Sequence, residues 1–89
     1  MKRIHIIVTG EVQNVGYRWH AKQTAEALGV TGHARNLTSG TVEIEVQGEE
    51  SAVEQFVKAI EIGPRLASVE RVTERPIEIN TAERGFEIR

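Results

Sequence analysis

The residues in this chain best suited to chemistry are Arg18 and the loop leading to it, Gly10-Glu11-Val12-Gln13-Asn14-Val15-Gly16-Tyr17, which runs from an apolar strand into a helix. Backbone N–H groups of such a loop can converge on one concavity, and the helix N-terminus behind it adds a partial positive charge. Arg18 brings a planar, permanently charged fork that fits an oxyanion. A cation in a first helical turn opposes the macrodipole unless an anion sits there, so the position itself argues for one. Gln13, Asn14, Val15, Gly16, Tyr17 and Arg18 thus form a candidate phosphate-binding loop. It is not a Walker loop, which needs Gly-x-x-x-x-Gly-Lys-Ser/Thr, and it lacks the second parallel strand of a dinucleotide-binding unit.

The second candidate lies about twenty residues on, where Gly32-His33-Ala34-Arg35-Asn36 precedes a turn and the strand Gly40-Thr41-Val42-Glu43-Ile44-Glu45-Val46. By residue type and place, Asn36 reads first as a turn-forming asparagine. Arg35 falls on the opposite strand face from Asn36 and receives no catalytic role. His5, His20 and His33 sit in three different elements without metal-ligand spacing, so no metal site is expected and the three read as structural or solvated. Glu49-Glu50 and the Glu43/Glu45 strand face read as solvated, and Tyr17 and Trp19 as packing residues.

These groups need a scaffold, and 89 residues allow one small domain, 1–89, with a modest core and no large internal cavity. A net charge of −2, with no basic run longer than Lys2-Arg3, gives no general attraction to nucleic acid. Without cysteines there is no disulfide framework, thiolate nucleophile or Cys-based metal site, which suits a reducing compartment. The apolar run near Met1 is too short and interrupted for a secretory segment, and no membrane-length span follows, so a soluble cytoplasmic protein is expected.

Ile4, Ile6 and Val8 alternate on one face of a first strand, with Ile7 on the other. Ala21, Ala25 and Leu28 fall on one side of a helix over Tyr17–Leu28, and Gly29 sits where a left-handed C-cap is wanted. Val30–Leu37 and Thr41–Gly48 flank Thr38-Ser39-Gly40, and Val42, Ile44 and Val46 alternate with Glu43, Glu45 and Gln47 as a hairpin with one wet face. Ser51 and Glu54 have capping-box spacing, before a stripe of Val53, Phe56, Val57 and Ile60 that stops at Gly63-Pro64. Ser68–Arg75 reads as a fourth strand, Pro76–Ala82 as a connection, and Phe86 with Ile88 as a short edge strand. The order predicts an α+β, ferredoxin-like βαββαβ sandwich: an antiparallel sheet with two helices on one face and a short C-terminal edge strand.

The two motifs resemble those of the acylphosphatase family, whose signature is a Val-Gln-Gly-Val-x-Phe-Arg loop, a Gly-x-x-(Arg/Lys)-Asn strand and an Asp-Gly-Thr-Val-Glu turn. Leu28-Gly29, Gly63-Pro64, Ala67-Ser68-Val69-Glu70-Arg71-Val72 and Gly85-Phe86-Glu87-Ile88-Arg89 extend the resemblance over the whole chain. Asn14 stands where the family usually has Gly, Tyr17 for its Phe, and Thr38-Ser39-Gly40 for its Asp-Gly turn. The resemblance implies the same fold and a hydrolase acting on acid anhydrides, which cleaves small acyl phosphates to a carboxylate and inorganic phosphate. It implies that Arg18 and the loop hold the phosphoryl group and that Asn36 orients the attacking water. It further implies a monomer with no cofactor, with inorganic phosphate as product or inhibitor. At Asn14 a loop whose amides turn inward needs positive φ, which Asn tolerates best after Gly.

Two other classes compete. The fold also serves RNA-recognition and regulatory ligand modules, but the strand Thr41–Val46 carries acids where base-stacking aromatics would be needed. An accessory module such as that of hydrogenase-maturation proteins is the other, and a chain of 89 residues on its own argues against it.

Overall fold

The expected alternation becomes β1 (Lys2–Glu11), where Ile4, Ile6 and Val8 are buried together, in a computed structural model that describes residues 1–89. There follow α1 (Tyr17–Leu28), β2 (Thr31–Asn36), β3 (Val42–Gly48), α2 (Glu50–Ile62), β4 (Ser68–Pro76) and β5 (Phe86–Ile88). The sheet order is β4-β1-β3-β2-β5. β1 pairs antiparallel with β3 and β4, and β2 antiparallel with β3, as expected; the short edge strand β5 lies parallel to β2, so the sheet is mixed.

Both helices pack on one sheet face. Ala21 and Ala25 from α1 and Val53, Phe56 and Ile60 from α2 meet Val42, Ile44 and Val46 of β3 and Ala34 of β2 in one apolar core. Small alanines let α1 approach the sheet closely, while Phe56 fills the wider gap and reaches Phe86 of β5, with ring centroids 5.9 Å apart. Gly29 adopts the expected left-handed cap at φ 72°, its N–H reaching the Ala25 and Glu26 carbonyls. The capping box at Ser51 does not form: α2 begins one residue earlier, at Glu50, so Ser51 lies inside the first turn and no side chain caps the helix. Glu50 there still complements the helix dipole.

The other sheet face is not the open, wet surface expected of Glu43 and Glu45. The segment between β4 and β5 crosses it as a strap. Arg3, with a side chain only 4% exposed, donates to Gln47 at 2.9 Å, to Glu83 at 2.8 Å and to Glu45 at 2.8 Å. Gln47 in turn exchanges hydrogen bonds with the Asn80 backbone, and the Thr31 hydroxyl donates to Glu83 at 2.8 Å. Glu43 is clasped by His5 and Arg35, which places Arg35 on the face away from the pocket, as its strand position predicts. Cross-strand register explains the gathering: Arg3 stands opposite Gln47, and His5 opposite Glu45. Burial alone would raise the Glu83 carboxyl, but hydrogen bonds from Arg3 and Thr31 and the Arg3 charge outweigh it and hold it below the ordinary range.

Candidate active site

β1 does not run straight into α1. Its pairing with β4 shifts register between Thr9 and Gly10, where a Cβ on Gly10 would lie 2.1 Å from the Ser68 carbonyl oxygen. Only glycine permits that approach, and the bulge turns the following loop across the end of the sheet. The loop then needs two left-handed residues in quick succession. Asn14 takes φ 62° and is the only non-glycine residue of the chain with positive φ; Gly16, at φ 75°, is the N-cap of α1. The expectation that Asn14 substitutes for glycine on conformational grounds is met in the backbone.

This path leaves the start of α1 without internal acceptors. The N–H of His20, to the Gly16 carbonyl at 3.0 Å, is the first in the helix to be bonded, and none of the amides from Gln13 to Trp19 donates within the chain. No side chain caps the helix and no acid lies in its first turn. α1 therefore begins with a run of unpaired donors and a cation, whereas α2 begins with Glu49 and Glu50.

A cavity of about 140 Å³ opens at this end of α1, bordered by Val12, Asn14, Gly16, Tyr17, Arg18, Trp19, Asn36 and Ile88. Arg18 and Asn36, separated in sequence and carried by different elements, thus face one small space. Arg18 is steadied by a hydrogen bond from Nη1 to the main-chain oxygen of Arg89 at 2.8 Å, and one turn on Lys22 donates to the Phe86 carbonyl at 2.9 Å. These two side chains fasten β5 to α1. No side-chain carboxylate pairs with Arg18, so its remaining N–H donors stay available.

Asn36 ends β2, and its position relative to the loop is set by Gln13. Gln13 Nε2 donates to the Leu37 carbonyl at 2.7 Å and the Thr41 carbonyl at 2.9 Å, clamping the loop to the β2–β3 turn. Asn36 Oδ1 is buried and accepts no hydrogen bond. An unmet buried acceptor costs about 1–3 kcal/mol, and such atoms in a cavity wall are commonly completed by a ligand or water. A wider depression of about 230 Å³ over α2 mixes Lys2 and Lys58 with Glu54, Glu61 and Glu74, and no orphaned side-chain atom faces it.

Of the six residues of the expected loop, Asn14, Gly16 and Arg18 border the cavity with their own bulk or backbone. Tyr17 borders it too, but its side chain is 1% exposed and its hydroxyl donates to the Ile60 carbonyl; burial raises the phenol well above its usual range. The Val15 side chain packs against the core and that of Gln13 holds the turn, so those three can serve a ligand through backbone alone. Trp19, expected to pack, is instead 55% exposed at the cavity rim. Its helical position immediately after Arg18 turns it outward, away from the stripe of Tyr17, Ala21 and Ala25. Gln13 as a clamp, Trp19 at the rim and Ile88 from β5 could not be read from the sequence without the relative placement of α1, the hairpin turn and β5.

Comparisons with known proteins span nearly the whole chain. The family model described as Acylphosphatase matches residues 4–88. A curated acylphosphatase from Chlorobaculum tepidum is 44% identical over 87 residues, covering 98% of this chain and 95% of the relative. The crystal structure of acylphosphatase from Bacillus subtilis superimposes with a TM-score of 0.94 at 31% identity, over 99% of this chain and 98% of that one. HypF from T. kodakarensis matches with a TM-score of 0.87 at 32% identity, but the match covers all of this chain and only 12% of HypF.

Proposed function

The chain belongs to the acylphosphatase family and is an acylphosphatase hydrolase, and from that premise we propose that the α1 cavity binds the phosphoryl group of a small acyl phosphate and directs water onto its phosphorus. The observation that carries this reading is that one cavity is bordered by residues whose amides go unpaired at the start of α1, by Arg18 with no side-chain carboxylate against it, and by Asn36, whose buried Oδ1 has no partner. Amides and guanidinium together supply donors to the non-bridging phosphate oxygens, where charge gathers in the transition state. Asn36 can accept from the attacking water without itself changing charge, and so fixes the water's direction.

In the reaction the water oxygen forms a bond to phosphorus as the bond from phosphorus to the acyl oxygen breaks. The departing carboxylate takes that electron pair, and the water proton passes to a phosphate oxygen of the substrate. A carboxylate is a good leaving group, so no general acid is required. Nor is a nucleophilic side chain, since the work is positioning and charge stabilisation. Inorganic phosphate, retaining the group the cavity recognises, is both product and competitive inhibitor. We further propose that residues 1–89 act as one domain and as a monomer, since the groups named call for no second copy.

The direct test is phosphate release from acetyl phosphate and benzoyl phosphate by purified protein, with p-nitrophenyl phosphate as the monoester control and with a chelator present throughout. Release from the two anhydrides but not from the monoester is expected. Equal release from the monoester would contradict the dependence on a carboxylate leaving group.

A further inference from the structure

A cavity of about 140 Å³ is well below the roughly 300–1,000 Å³ that encloses a drug-sized ligand. With a phosphoryl group held against the start of α1, it cannot also enclose more than a very small acyl group. The acyl group must leave across the rim. Two of the chain's exposed large apolar residues stand on that rim, Trp19 at 55% and Ile88 at 39% exposure, brought together from α1 and β5. A single exposed apolar side chain needs no explanation, but two flanking one small cavity do.

Nothing in the core requires Trp19. It lies on the outward face of α1, on the residue that follows Arg18, and the helix buries Tyr17, Ala21 and Ala25 instead. We propose that Trp19, backed by Ile88, is a specificity-determining platform against which the acyl group of the substrate lies, so that the site favours flat or apolar acyl groups over acetyl. The proposal rests on the assignment of the phosphoryl group to this cavity. An aromatic pair contributes about 0.5–1.5 kcal/mol beyond its buried area, which sets the discrimination at roughly two- to tenfold per ring.

The test compares benzoyl phosphate with acetyl phosphate in the wild type, Trp19→Ala and Trp19→Phe. Trp19→Ala should lower kcat/KM for benzoyl phosphate about three- to tenfold, chiefly through KM, while acetyl phosphate changes less than about twofold. Trp19→Phe should restore most of the loss, and the inhibition constant of inorganic phosphate should not move. An equal fall for both substrates, or none for either, would overturn the platform.

A second arm separates this idea from the reaction itself. Trp19 is the chain's single tryptophan, so its fluorescence reports contact at the rim without turnover. Phenylphosphonate should perturb Trp19 emission and bind more tightly than methylphosphonate, and Trp19→Ala should abolish the difference, measured by calorimetry. Were neither acyl phosphate hydrolysed by the wild type, the reaction would fail while the phosphonate arm still decided on Trp19. Equal affinity of the two phosphonates for the wild type would overturn the platform whatever the reaction does.

Discussion

Arg3 and Arg18 are the same residue type put to opposite uses. Arg3 is buried on the strap side of the sheet, gripped by Glu45, Glu83 and Gln47, and its charge is spent within the fold. Arg18 stands at the cavity with the main-chain oxygen of Arg89 as its partner and no side-chain carboxylate against it. An arginine ringed by carboxylates locks a chain crossing; one with free N–H donors, in a helix turn whose dipole opposes it, suits the anion site proposed for this cavity. The two should respond differently to the same perturbation.

The largest effect is expected at the cavity. Arg18→Ala and Asn36→Ala should each cost about two to three decades in turnover, roughly 3–4 kcal/mol in the barrier, with folding stability changed little. Arg18→Ala should also lose inhibition by inorganic phosphate, whereas Asn36→Ala should keep it, because orienting water matters after binding. Steady-state kinetics with thermal melts separates the two; near-normal activity in both folded variants would refute the assignment.

The mirror experiment is Glu83→Gln. Removing one partner of a buried charge typically costs 3–5 kcal/mol, and Glu45 and Gln47 still hold Arg3, so a loss of about 2–3 kcal/mol in denaturant unfolding is expected. Activity at low temperature should stay within about twofold of wild type. A Glu83 variant that loses turnover but not stability would erase the contrast between the two arginines.

Position 14 sharpens the contrast within the loop. Asn14→Gly should leave phosphate affinity within a few-fold, while Asn14→Val, forced into positive φ, should weaken it by about 1–3 kcal/mol without unfolding the chain. Calorimetric titration of phosphate into both variants decides it. Equal affinities would mean that the left-handed backbone there is not needed.

The strap also predicts an acid limb in stability. Glu83 and Glu43 are held below their ordinary carboxyl range, so the stability they confer is complete above about pH 4.5 and fades as pH falls below it. For Glu43, burial opposes this, but hydrogen bonds from His5 and Arg35 prevail. His33 is held low by burial and then by the charge of Arg89, so it folds neutral. Acidification through its ordinary value of 6.5 favours the unfolded chain. Melting temperature should therefore decline in two steps on acidification, and Glu83→Gln should flatten the lower one. A stability that rose towards pH 4 would contradict the sign of all three shifts.

Much of this was legible in the residues. Period-two alternation at Ile4, Ile6 and Val8 and the helical stripe of Val53, Phe56 and Ile60 mark core faces because burial imposes the period. That the loop and Arg18 border one cavity follows from signals the residues carry, since closely spaced Asn14 and Gly16 and a cation at a helix start break local rules. The direction of β5 was not, since three residues carry no signal of their pairing sense. Ser51 has the right spacing for a cap, but the helix starts at Glu50 and the motif has no helix end to serve. The Arg3 cluster carries no local signal, because its partners lie 44, 42 and 80 residues away and meet only through sheet register and the strap. Trp19 is exposed where its residue type points to packing, because its side of α1 depends on where the sheet lies.

The most direct test is an amide-resolved NMR titration with inorganic phosphate. Saturable shifts should concentrate on the backbone amides from Gln13 to Trp19 and the Asn36 side-chain amide, with the first turn of α2 and the Arg3 guanidinium unmoved. They should vanish in Arg18→Ala. Shifts centred on α2 or the strap, or no saturable shift at the start of α1, would contradict the account.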